Sequence, residues 1–335
     1  MTVREKEVKN LFARIGGALL LFLAAYNVLC GGTAEIGEIL TTFNHSAGIY
    51  ITASLLSSAS YIAAFTIPAW FFYKISKNKN AQSAGLSFSF SENCSVVGTM
   101  AITFLGASLC FCFSYVNSIL APISQDASDL FFQADLDRGY KLILLFISTA
   151  IVPALVEEFL FRGVILSNIS PYSEGGAILI SALFFGLMHQ TTFQLLYTTA
   201  LGIVLGVLFV RTKSIWCGVI LHFFNNFLSI VQEYMLYRYD NTEGYMLYYI
   251  SILLTFLIGI ILCAIWANEN HRKKKDKTND IGVFGKNVFY NKLAERAESR
   301  MIYKAFFAPT VMIYIVICVV TMVMTSIAIN GTVWL

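Results

Sequence analysis

The sequence predicts an all-α, polytopic bundle of eight or nine transmembrane helices with its chemistry inside the bilayer. Hydrophobic residues make up 57% of the 335 and charged residues only 13%, against about 25% charged in soluble domains. The mean hydropathy is +0.68. Apolar runs long enough to cross a bilayer recur along the whole chain.

The first run, 11–30, follows a polar, basic segment, Met1 to Asn10. No small-residue cleavage site follows it, so it is expected to stay as an anchor rather than leave as a signal peptide. The second, 48–73, leads into a Ser-, Lys- and Asn-rich loop over 74–95. The third and fourth, 96–120 and 141–168, flank an acidic connection. The fifth and sixth, 176–191 and 194–211, are short and joined by Gln190-Thr191-Thr192-Phe193. Segments 214–235, 245–267 and 308–330 complete the set. Between the last two lies a basic linker, 268–307, opening with His271-Arg272-Lys273-Lys274-Lys275. Its later part spaces Leu293, Ala294, Ala297, Met301 and Ala305 along one helical face, which reads equally as an interfacial helix drawn to anionic lipid or as a solvated tether. We divide the chain into an N-terminal two-span extension and loop (1–95), a membrane core (96–235) and C-terminal spans with the linker (236–335). The seven cysteines lie mostly in apolar runs without paired spacing and read as small core residues.

Of the 23 Lys and Arg residues, all but Arg138, Lys141, Arg162 and Arg238 fall on the cytoplasmic side when the spans alternate from a cytoplasmic N-terminus. The outer connections carry Glu35, Glu38, Asp126, Asp129, Asp135 and Asp137 instead. That asymmetry is the positive-inside rule.

Within this apolar frame, Glu157, Glu158 and Arg162 stand in one span, where a charge costs a few kcal/mol and needs a partner or a task. Glu158 and Arg162, four apart, share a helix face and pair. For these two, a buried network holding helices together is the leading reading. Glu157 is turned about 100° aside, so arginine does not claim it and it is placed to act as a general base on water. His189 closes Phe185-Gly186-Leu187-Met188-His189 in the next span, and His222 and Asn226, again four apart, share a face two spans later. Asn225 points aside and has the weaker claim. Counted at 1.5 Å per residue from the cytoplasmic ends, Glu157, His189, His222 and Asn226 lie about 16, 20, 12 and 18 Å deep. Four groups from three spans therefore meet at a common depth, in a cavity open to the cytoplasm.

Three chemistries suit such a set. A glutamate and a histidine activate water while histidine and asparagine hold the oxyanion. Two histidines and a glutamate hold zinc, although no His-Glu-x-x-His is present and asparagine is a poor ligand. A serine or cysteine nucleophile ranks third, because Ser181 and Cys217 have no evident activating partner and no Gly-x-Ser-x-Gly occurs.

The ordered set Glu157-Glu158-x-x-x-Arg162, Phe185-x-x-x-His189, His222-x-x-x-Asn226 resembles the CAAX protease and bacteriocin-processing family of intramembrane glutamate endopeptidases. The resemblance covers roughly 96–235. It implies a catalytic set of Glu157, Glu158, His189, His222 and Asn226, with Glu157 and His189 activating water and His222 and Asn226 binding the oxyanion. Arg162 supports the helix that carries the glutamates. Neither metal nor cofactor is implied. The expected partners are a peptide or protein substrate, lipidated or not, the lipid bilayer and a membrane protein partner, with no nucleic acid. The alternative within the same fold is a non-proteolytic scaffold or bacteriocin-immunity protein, which need not keep the set Glu157, His189, His222 and Asn226. A transporter predicts internal repeats and broken helix pairs, which the sequence does not display. The expected location is multi-pass in a bacterial plasma membrane.

Overall fold

A computed structural model describes residues 2–43, 46–75, 96–120, 139–239, 241–277 and 298–332. Every regular element among them is helical, and the chain is an all-α membrane bundle. Among the described residues, six helices are long and apolar enough to span, by length and composition: Val3–Leu40, Ala47–Ile75, Gly139–Ile169, Gln194–Thr212, Thr242–Glu269 and Pro309–Ser326. Shorter apolar helices occupy Val96–Leu109, Glu174–Met188 and Ile215–Val231. Together they account for each of the nine apolar segments.

Helix α1 (Val3–Ala25) begins earlier than the apolar run because Thr2 and Glu5 form a reciprocal capping box. It passes through a π-helical turn, Tyr26–Gly31, into α2 (Gly32–Phe43). Helices α3 (Ala47–Ile75) and α4 (Val96–Leu120) follow. The next rod alternates α and π geometry: α5 (Gly139–Leu145), a π turn (Phe146–Ile151), α6 (Val152–Glu158), a second π turn (Phe159–Leu166) and α7 (Ser167–Ile169). Such widened turns, with i→i+5 bonding, are frequent at functional sites. Pro153 lies inside this continuous rod, just after the first of its π turns, and its missing N–H leaves the Thr149 carbonyl, four residues back, without that helical donor.

Helices α8 (Glu174–Met188) and α9 (Thr192–Thr212) form a tight hairpin. The reversal is made by Gln190 in the left-handed region (φ 54) and by Thr191, whose hydroxyl caps α9 through the Gln194 amide. Gly202 lets the pair close, since a Cβ there would stand 2.9 Å from the Ala182 backbone. Helix α10 (Ile215–Arg238) packs against α6, and α11 (Asn241–Lys277) lies along α4. Helix α12 (Pro309–Thr332) returns against α1, with the Thr310 hydroxyl on the Ala13 carbonyl and the Tyr314 hydroxyl on the Phe184 carbonyl.

The helical residues 298–306 do not lie apart as a tether. Ile302 is fully buried, Phe306 stacks on Phe184, Ser299 bonds Ser173 and Glu298 pairs with Arg4. The rest of the predicted amphipathic stretch lies outside the described residues. The core runs from Phe12 and Phe22 through Phe161 and Phe185 to Tyr314, so the terminal spans pack into the bundle. Leu253, Leu254, Leu257 and Ile261 on α11 face outward, as do Val316, Val320 and Val323 on α12. That surface suits lipid rather than water.

Candidate active site

The site is built around Arg162, which is fully buried in the second π turn. One guanidinium nitrogen donates to Glu158 Oε1 at 2.8 Å, and the other to the Gly202 carbonyl at 3.0 Å. The guanidinium carbon lies 4.6 Å from the centre of the Phe185 ring. Helices α6, α9 and α8 thus meet on one cation, which is why their mutual placement is fixed here.

Glu158 accepts a second hydrogen bond on the same oxygen, from His222 Nδ1 at 3.0 Å. Gly218, one turn before His222 on α10, makes the space, because a Cβ there would come within 2.8 Å of Glu158 Oε2. His222 then turns Nε2 towards Glu157 Oε2, 3.8 Å away. Glu157 is buried and its other oxygen accepts from the Tyr61 hydroxyl at 2.5 Å. Oε2 of Glu157 has no hydrogen-bond partner among the described residues.

His189 caps α8, with Nδ1 2.9 Å from the Phe185 carbonyl oxygen. The Phe185 ring packs edge-on to both His189 and His222, at 5.3 and 5.6 Å between centres. Asn226 lies one turn along α10 from His222. Its amide donates to the Thr149 carbonyl in the first π turn at 3.0 Å, and its oxygen accepts from Asn225 at 3.2 Å. Asn225 also donates to the Tyr197 hydroxyl.

Of the residues singled out in the sequence, Glu157, Glu158, Arg162 and His222 form one polar cluster, with the predicted Glu158–Arg162 pair present. His189 joins it through the shared Phe185 ring, and Asn226 flanks it without a direct bond to it. The sequence reading left Glu157 without a partner. Here Tyr61 from α3 reaches it across 96 positions of chain. Gly218, Tyr197 and the carbonyls of Gly202 and Thr149 also escaped the reading, since no local pattern marks a tertiary contact or a backbone acceptor.

Residues 139–228 match the family described as type II CAAX prenyl endopeptidase Rce1-like. A Bacillus subtilis (strain 168) protein named "Putative membrane peptidase YdiL" is 36% identical over 104 residues. The match covers 30% of this chain and 42% of that protein, so the chain spans less than half the length of this curated relative. No solved structure matches. The segment that is similar to the Rce1-like family of CAAX prenyl endopeptidases holds Glu157, Glu158, Arg162, His189, His222 and Asn226.

Proposed function

We propose that the protein is an integral-membrane endopeptidase that cuts peptide or protein substrates by direct attack of water. One observation carries the reading: Glu157 and Glu158 both face His222, while Arg162 bonds Glu158 and leaves Glu157 to other work.

Glu158, held by Arg162, orients the imidazole of His222. The 3.8 Å from Nε2 to Glu157 Oε2 is too long for a direct hydrogen bond. A water about 2.8 Å from each atom would bridge the two. Glu157 takes a proton from this water as its oxygen attacks the scissile carbonyl, and returns it to the leaving amine when the C–N bond breaks. His189 assists in holding the water. In this step His222 acts as the imidazolium: Nδ1–H stays on Glu158, and as the tetrahedral intermediate forms Nε2–H turns to its oxyanion. An amide carries two hydrogens, so Asn226 keeps one for the same oxyanion while the other bonds Thr149. Both catalytic carboxylates act by proton transfer or orientation, and neither needs to form a covalent bond to the substrate.

The depth of the four groups and the charge asymmetry support cleavage near the cytoplasmic side of a bacterial plasma membrane, with the N-terminus cytoplasmic. The substrate is a peptide or protein at the bilayer, lipidated or not.

Peptides from cells carrying wild type or Glu157→Gln, compared by mass spectrometry, test this reading. We expect at least one product that only the wild type yields. Identical peptide sets would instead favour the non-proteolytic scaffold.

A further inference from the structure

We propose that Tyr61 is a positioning residue of the site: its hydroxyl claims Oε1 of Glu157 and so assigns Oε2 to the reacting water. This rests on the peptidase reading above, and it brings into the site a helix outside residues 139–228.

A glutamate carboxylate rotates easily about its last torsion and offers two equivalent oxygens. A base that must meet one water needs that rotation stopped. Arg162 does not stop it, because its hydrogen bonds go to Glu158 and the Gly202 carbonyl. His222 gives its short contact to Glu158 and stands 3.8 Å from Glu157. The Tyr61 hydroxyl, at 2.5 Å, is the hydrogen bond Glu157 makes, and its length is that of a hydroxyl donating to a charged oxygen. With Oε1 so held, Oε2 is the oxygen turned to His222.

The tyrosine is itself held. Its ring lies 4.9 Å from Phe65 and edge-on to Tyr26 at 6.1 Å. Phe22 ties these two together, at 4.7 Å from Phe65 and 5.7 Å from Tyr26. Tyr26 opens the π turn of the first span. The aromatic cluster therefore anchors the Glu157 contact to α1 and α3, and the first two spans become part of the catalytic apparatus.

The test uses full-length protein in phospholipid nanodiscs and the variant Tyr61→Phe, which keeps the ring and removes the hydroxyl. The probe is a quenched-fluorescence peptide, drawn from a pooled decapeptide library as one that wild type cuts and Glu157→Gln does not. We expect kcat to fall about a hundredfold, as for a misplaced reacting group, with KM unchanged, at a temperature where both proteins are fully folded. An unchanged kcat overturns the proposal, as does a loss that merely follows a fall in melting temperature. Infrared difference spectra give a second readout that needs no turnover. The carboxyl band absent from Glu157→Gln should shift in Tyr61→Phe, and an unmoved band overturns the contact. If wild type cuts nothing in the pool, the peptidase reading fails, and the infrared band alone decides whether Tyr61 positions Glu157.

Discussion

At the scale of single residues, two neighbours of the same type have different partners. Glu158 is engaged by Arg162 and His222, and the proposed mechanism gives Glu157 the proton transfer. The division was legible in the sequence, because residues four apart share a helix face and adjacent ones do not. What holds Glu157 was not legible. Tyr61 is one of 17 tyrosines, in a span whose residues carry no motif, and only the packing of α3 on α6 marks it out. Arg162 gives the residue-scale prediction. Replacing it with alanine strands Glu158 as a buried charge, at a cost of about 3–5 kcal/mol. We expect Arg162→Ala to melt well below wild type in the same detergent, with lost activity following lost fold. An unchanged melting temperature with no activity would move Arg162 into the catalytic group.

At the scale of elements, the nine apolar segments were readable from hydropathy, and each coincides with a helix. The three π turns among the described residues were not, since a run such as Phe159–Leu166 has the composition of any buried helix. They matter because one carries Arg162 and another presents the Thr149 carbonyl to Asn226. The close approach of α8 and α9 was equally hidden. It depends on Gly202, whose missing Cβ admits Ala182 and whose carbonyl receives Arg162. Gly202→Ala should therefore push the hairpin apart and withdraw that acceptor, destabilising by about 1–3 kcal/mol as overpacking does. The same substitution at Gly17, where no neighbour lies within 4 Å, is the control and should leave the melting temperature unchanged. Equal melting of both variants would refute this account of the hairpin.

At the scale of the whole molecule, the bundle turns apolar surface to lipid and gathers Glu157, Glu158, Arg162 and His222 around one point. The first and last spans are built into that core, although the segment matching the family covers only 139–228. In the proposed orientation, water reaches Glu157 by the shorter path from the cytoplasmic side. Cysteines placed as His222→Cys and Asn226→Cys, in protein stripped of its seven native cysteines, should react with a small polar thiol reagent applied to the cytoplasmic side. Labelling from the outside alone, with the N-terminus shown to be cytoplasmic, would overturn that orientation. The central claim is that Glu157 takes the proton from the attacking water. Its most direct test is the rate at which new amino termini appear when purified wild type and Glu157→Gln, each in nanodiscs with a metal chelator throughout, meet the same peptide pool. The account predicts steady cleavage by wild type and a loss of at least about a hundredfold in the variant, with the two proteins melting alike. Cleavage by Glu157→Gln at a comparable rate would contradict it.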